Sequence, residues 1–282
     1  MGFKYQVGNL NLVSDIWLPI LKSKDFDNHD LEIVITSKLQ TSDKTIEFLP
    51  DDSVLYQDIF GNTFLVNKSK ILVSIKENNI DDASISILGI PLGYLLQNNN
   101  FQVLHGSSVA QNGSAICFIG RSGLGKSSLA LSLLDKGFKL VTEDLCIIKN
   151  SSIYNFSDWV KSDENNLIET LKPIERINLE KDSRQRSLYK LENSYVSNKK
   201  TKLKAIYFLD SNKKRNIKKV SPLDSFKYLF TYAYRKSDAD AFSLEKLTKI
   251  SEQADCFIYS RDIEKPLEDN SRFILDHIME SL

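Results

Sequence analysis

Eight consecutive residues, Gly120-Arg121-Ser122-Gly123-Leu124-Gly125-Lys126-Ser127, fit the spacing G-x-x-x-x-G-K-[ST]. Glycines at those positions let the backbone curl until successive N–H groups converge on one point. An apolar run, Ala115-Ile116-Cys117-Phe118-Ile119, leads in, and a helix-forming run, Ser128-Leu129-Ala130-Leu131-Ser132-Leu133-Leu134, leads out. Strand, glycine loop and helix N-terminus together make a phosphate site, because free amides and the positive end of the helix dipole face the same anion. Gly120, Ser122, Gly123, Leu124, Gly125, Lys126, Ser127 and Ser128 are therefore the candidate nucleotide-binding residues. In that role Lys126 reaches the β- and γ-phosphates and the Ser127 hydroxyl holds Mg2+. ATP and Mg2+ are the expected cofactors.

Phosphoryl transfer needs a metal to spread charge and a group that takes or orients the acceptor proton. Glu143 and Asp144 can supply both, since they end the apolar run that follows the loop's helix. In an open parallel sheet that end faces the ligand crevice. Read as an extended pair, they point to opposite sides, one towards Mg2+ with Ser127 and the other towards an acceptor hydroxyl. Which of the two is the base stays open. Crowding by the second carboxylate would raise a pKa there, while Mg2+ and Lys126 would lower it. His105 is placed at the end of a strand over 101–104, next to the small residues Gly106-Ser107-Ser108, where it could orient the acceptor or shuttle a proton. Asp210, ending Ala205-Ile206-Tyr207-Phe208-Leu209-Asp210, competes as a generic metal-binding aspartate, although the basic run after it reads as a surface hairpin.

The elements around these residues follow from apolar periodicity. Up to about residue 87 the chain is β-rich, with runs at 3–7, 31–36, 45–49, 63–66 and 71–75. Gly61-Asn62 and Asn67-Lys68-Ser69-Lys70 can close hairpins between them. A helix over 85–97, containing Pro91, separates this region from the rest. Strands are expected at 138–141, 145–148, 204–209 and 256–259, and helices at 222–234, 243–253 and 267–279, while 150–196 reads as irregular. The boundaries that follow are a β-rich region over 1–97 and a nucleotide-binding domain over 98–282.

Bulk composition narrows the class further. The 282 residues hold 37 Lys and Arg against 37 Asp and Glu, so overall charge selects neither nucleic acid nor membrane. No apolar run approaches transmembrane length, and the start Met1-Gly2-Phe3-Lys4-Tyr5-Gln6 has neither a signal-peptide layout nor a myristoylation pattern, so a cytoplasmic location is expected. Cys117, Cys146 and Cys256 lie in apolar runs without metal-ligand spacing and read as buried reduced thiols. His29 sits in a polar stretch and reads as a surface residue. From 184 to 219 there are 12 Lys and Arg but only Glu192 and Asp210 as acids, a basic surface suited to an acidic peptide. It lacks the aromatic interleaving of a single-strand binder, so nucleic acid is not an expected partner.

Three blocks carry a family resemblance: Leu104-His105-Gly106-Ser107-Ser108-Val109, then Phe118-Ile119 with the glycine loop, then Lys136-Gly137-Phe138-Lys139-Leu140-Val141-Thr142-Glu143-Asp144. In them the chain resembles the HPr kinase/phosphorylase superfamily, above all its short members that act beside peptide-modifying enzymes, such as lasso-peptide tailoring kinases. The resemblance implies an α/β fold, with a P-loop core of the HPr kinase/PEP carboxykinase kind behind the β-rich N-terminal region. It implies an ATP-dependent kinase that phosphorylates a hydroxyl, Ser above all, of a peptide or small protein, with His105, Glu143 and Asp144 at the site. It further implies that Arg184 or Arg186, in the basic loop before the 204–209 strand, clamps phosphate or acceptor. Related kinases assemble, so a homo-oligomer fits the resemblance. A kinase of small molecules and a non-catalytic nucleotide switch are the alternatives. Two departures matter. Full HPr kinases carry another N-terminal domain and a C-terminal recognition region not found in these residues, so HPr itself is not the expected acceptor. Glu143 stands where Asp is usual, and the extra methylene moves its carboxylate by roughly 1.5 Å.

Overall fold

Burial alternates along the short strands of the first hundred residues, as a sheet with one covered face requires. The structure, a computed structural model, describes residues 2–77, 79–163, 171, 173–179, 186–212, 214–234, 241–262 and 264–281. It divides into two compact units, Met1–Val103 with Tyr234–Ala241, and Leu104–Ala233 with Phe242–Leu282.

In the first unit the strands are β1 (Phe3–Val7), β2 (Leu10–Ser14), β3 (Leu31–Ile35), β4 (Ile46–Phe48), β5 (Val54–Gln57), β6 (Thr63–Val66) and β7 (Lys70–Ser74), in the order β1-β2-β3-β7-β6-β5-β4. Leu12, Leu31, Ile33, Phe64, Val66, Ile71 and Val73 are fully buried beneath it. Both expected hairpins form, β5 with β6 and β6 with β7. In the second, the Asn67 side chain accepts from the N–H groups of Ser69 and Lys70. The single helix expected over 85–97 is instead two, α1 (Ile80–Ile87) and α2 (Ile90–Asn98). Asn79 caps the first by accepting from Asp82 N. The second opens after Gly89, with Pro91 in its first turn, where a missing N–H costs nothing.

The second unit holds β8 (Gln102–Gln111), β9 (Ser114–Ile119), α3 (Lys126–Leu134), β10 (Lys139–Thr142), β11 (Leu145–Lys149), β12 (Ser152–Tyr154), β13 (Trp159–Ser162), β14 (Glu175–Asn178), β15 (Ser187–Lys190), β16 (Thr201–Asn212), β17 (Asn216–Lys219), α4 (Pro222–Tyr232), α5 (Ala241–Gln253), β18 (Asp255–Asp262) and α6 (Leu267–Ser281). The sheet is mixed rather than the open parallel one expected from the sequence. Among the described residues β9, β16 and β18 run parallel, while β8 lies antiparallel between β9 and β10. The pairings also close on themselves, from β8 through β11, β12, β16 and β9 back to β8. Gly106 makes this tight ring possible, since a Cβ there would stand 2.6 Å from the Phe118 carbonyl oxygen. The hairpin expected after Asp210 does not form, because β17 pairs with β18 and not with β16.

Apolar clusters cover both sides of the β9–β16–β18 layer. Phe118, Tyr207 and Phe257 are buried with Leu129 and Leu133 of α3 and Ile274 and Ile278 of α6. Cys117, Ile206 and Cys256, one residue out of phase, are buried with Leu229 of α4 and Leu247 and Ile250 of α5. Full burial of each such side chain stabilises by about 1.5–3 kcal/mol. The segment read as irregular, 150–196, contains a separate three-stranded sheet, β13-β15-β14, among the described residues.

Candidate active site

Strand register brings the chemistry-bearing residues to one edge. Gly106 of β8 is paired with Ile119, the last residue of β9, and Ile119 with Phe208 of β16. The Gly106 N–H donates to the Asp144 carbonyl at 3.1 Å, so Asp144 stands level with the start of the glycine loop. Asp210 and Ser211 pair with Ser260 and Arg261 at the same level.

The loop turns through Gly123 at φ 89° and Gly125 at φ 83°, a left-handed conformation that favours glycine. Gly125 is also the N-cap of α3, and no side chain caps the helix, so its first amides stay available. Lys126 is buried, and its Nζ donates to the carbonyls of Gly120 at 2.9 Å and Arg121 at 3.2 Å. Behind the loop, Arg261 Nη1 donates to the Leu124 carbonyl at 3.2 Å, while its Nε is buried without an acceptor among the described residues.

Glu143 and Asp144 are not an extended pair. They lie in a break between β10 and β11, both of which pair with β8; register shifts just before it, and Asp144 takes φ 66°. The break sends the carboxylates to different tasks. Ser127 Oγ donates to Glu143 Oε1 at 2.6 Å. Burial, then the neighbouring Asp144 charge, pushes the Glu143 carboxyl up to about 7, against the opposing pull of Ser127 and Lys161. Asp144 keeps its side chain 39% exposed, with Lys161 Nζ 3.7 Å from its Oδ2.

His105 is inside β8 and not at a strand end, because β8 runs on through Gln111. Burial lowers its pKa, with Lys126 and Lys161 adding to that effect and Asp144 opposing it. Asp210 reaches the same edge, but it is exposed and accepts from Ser211 N.

A cavity of about 400 Å³ lies here; its lining includes Ser122, Gly123, Gly125, Lys126, Ser127 and Ser128 from the loop and the start of α3, together with His105, Asp144, Lys161, Asp163 and Arg186. Gly120 and Leu124 shape the loop from outside that lining, and a Cβ on Gly120 would stand 3.0 Å from the Leu209 carbonyl. Arg184 lies outside the described residues. Lys161, Asp163 and Arg261 were missed by sequence reasoning, since none has a fixed spacing from the loop. Among the described residues no three His, Cys, Asp or Glu side chains gather into a metal cage. The hydroxyl and carboxylate of Ser127 and Glu143 are hard oxygen donors of the kind that bind Mg2+ when phosphate and water complete the shell.

Cys117, Cys146 and Cys256 are free and buried. His29 contacts Glu32 at the surface, at 2.7 Å. Among the described residues no helix is long and apolar enough to cross a membrane.

No family model matches the chain. Curated proteins do match over part of it. The HPr kinase/phosphorylase of Chlorobium phaeovibrioides is 38% identical over 69 residues, 24% of this chain and 20% of that protein. That of Mycoplasmopsis pulmonis is 37% identical over 87 residues, 30% of this chain and 27% of that protein. That of Chloroherpeton thalassium is 45% identical over 49 residues, 17% and 14% of the two chains. The chain thus spans about a quarter or less of these relatives' length. A solved structure of the Hpr(Ser) kinase/phosphatase from Coxiella burnetii aligns with 64% of this chain and 97% of its own at 11% identity, with a TM-score of 0.33, too low to carry an argument. The sequence matches relate the chain to the HPr kinase/phosphorylase superfamily.

Proposed function

We propose that the protein is an ATP-dependent kinase with a P-loop core, transferring the γ-phosphoryl group to a hydroxyl, Ser foremost, of a peptide or small protein. Residues 98–282 form the kinase domain in this reading, and 1–97 a β-rich accessory region. One observation carries it: the amide-rich start of α3 and the Asp144 carboxylate line the same 400 Å³ cavity. An anion held at the first sits beside a base at the second.

The loop amides and Lys126 bind the phosphates, Lys126 exchanging its hold on the Gly120 and Arg121 carbonyls for phosphate oxygens. Ser127 and Glu143 would hold Mg2+, which would supply charge neutralisation of the phosphates when bound. Asp144, the more exposed carboxylate, takes the proton of the acceptor hydroxyl. The acceptor oxygen bonds to the γ-phosphorus as the bond from phosphorus to the bridging oxygen of ADP breaks. Neutral His105 orients the acceptor, and Arg186 steadies its phosphoryl or its backbone from the same cavity lining. The basic 184–219 stretch supports an acidic peptide as acceptor.

The test is purified protein with Mg2+, γ-labelled ATP and short Ser-containing acidic peptides, read by mass gain. Phosphate on Ser is expected, with Lys126→Ala and Asp144→Asn each slowing transfer at least about 100-fold while nucleotide binding survives in the latter. Wild-type turnover in both variants would refute the assignment. ATP binding with no mass gain on any peptide would favour a small-molecule acceptor or a nucleotide switch.

A further inference from the structure

Lys161 forms an ion pair with the base proposed above. It does not come from the glycine loop or from the Glu143–Asp144 break. It arrives on β13, and the register that pairs Lys161 with Leu188 and Ser162 with Ser187 sets it at the same end of the small sheet as Arg186, which precedes β15. That sheet end carries Lys161, Asp163 and Arg186 into the lining of the same cavity as the loop. The Lys161 side chain is only 19% exposed, and its ammonium stands 3.7 Å from Asp144 Oδ2.

Resting on the kinase reading, we propose that Lys161 is a further catalytic residue, which binds the phosphoryl group in transit between nucleotide and acceptor. An acceptor hydroxyl donating to Asp144 lies about 2.7 Å from that carboxylate. The phosphorus bonding to that oxygen then comes within reach of the Lys161 ammonium. Charge in the transition state sits on the three equatorial oxygens, to the side of the line of attack, where a cation from a separate element can meet it. Lys126 starts on the nucleotide side, tied to the loop carbonyls, and Lys161 on the acceptor side. The transferred group therefore passes from one cation to the other. As the acceptor proton neutralises Asp144, Lys161 loses its resting partner and gains the phosphoryl oxygens. Lys161 forms and breaks no covalent bond. It stabilises charge, as one well-placed donor does, at a value of about 100-fold to about 1,000-fold in rate.

The probes are ADP with Mg2+, alone and with aluminium fluoride, whose planar adduct mimics the phosphoryl in transit. Binding is measured calorimetrically for wild type, Lys161→Met and Lys161→Arg. Wild type is expected to bind the adduct at least about tenfold more tightly than ADP. Lys161→Met should keep ADP affinity within about threefold, which also certifies its fold, lose the extra tightening and lose about 100-fold in kcat, and Lys161→Arg should recover part of both. Tightening retained in Lys161→Met overturns the role of Lys161 and leaves the kinase reading intact. A wild type that binds no ADP overturns both.

Discussion

At the scale of single residues, burial does most to set the chemistry of Glu143. Its carboxyl is raised to about 7, so the protonated form is the one that folding favours. A raised carboxyl contributes stability that is fully present below the unfolded value and lost as pH rises through the folded one. For the metal-free protein the melting temperature should therefore fall between about pH 5 and about pH 8, by an effect of at most about 3 kcal/mol. Glu143→Gln should flatten that fall, and thermal scans across pH decide it; an unchanged slope would place the cause elsewhere. The proximity of Glu143 to Ser127, and of Asp144 to Lys126 across one cavity, was legible in the sequence because the glycine-loop spacing and the acidic pair lie within a short span. Lys161 was not, because its place depends on the pairing of β13 with β15 and on no local spacing.

At the scale of elements, the site depends on a loop held from behind. A Cβ on Gly125 would run into Arg261 Nη1, and the backbone there is left-handed. Gly125→Ala is expected to destabilise by about 1–2 kcal/mol and to weaken nucleotide binding at least about tenfold. Arg261→Ala in the same chain should return part of that loss, since it removes the collision and leaves the strained dihedral. A double-mutant cycle in urea unfolding measures the coupling, and strict additivity would show that the two do not touch. The strands at 3–7 and 63–66 were read to the residue because their apolar periods are bounded by turn residues. The antiparallel course of β8 was hidden. Its run Gly106-Ser107-Ser108 has small residues where a strand is usually read from branched ones, so the sequence signal of the strand stops at His105. The small sheet of β13, β14 and β15 was hidden for a different reason, its strands being only four residues long and each carrying charge.

At the scale of the whole molecule, a balanced charge conceals a separation. Taking the 12 Lys and Arg and two acids of 184–219 from the chain's 37 of each sign leaves 25 basic against 35 acidic residues elsewhere. On the proposed kinase reading, an acidic peptide acceptor would be drawn to one stretch and repelled by the rest, an attraction that salt screens. Its KM is expected to rise several-fold between about 50 and about 300 mM NaCl in steady-state assays, while a neutral peptide of equal length responds little. A class of α/β protein could be inferred from the order of apolar runs. The ring of pairings from β8 back to β8 could not, since it joins strands far apart in the chain. The core of the same sheet holds one more property. Cys117, Cys146 and Cys256 sit on β9, β11 and β18, buried, with Cys117 raised well above the usual thiol range and Cys256 pushed up to about 11, chiefly by burial. A thiol needs both water and its thiolate to react. Alkylating reagents will therefore reach these sulfurs only in molecules whose central strands have parted, so the native chain carries its own built-in clock for how often its core comes open.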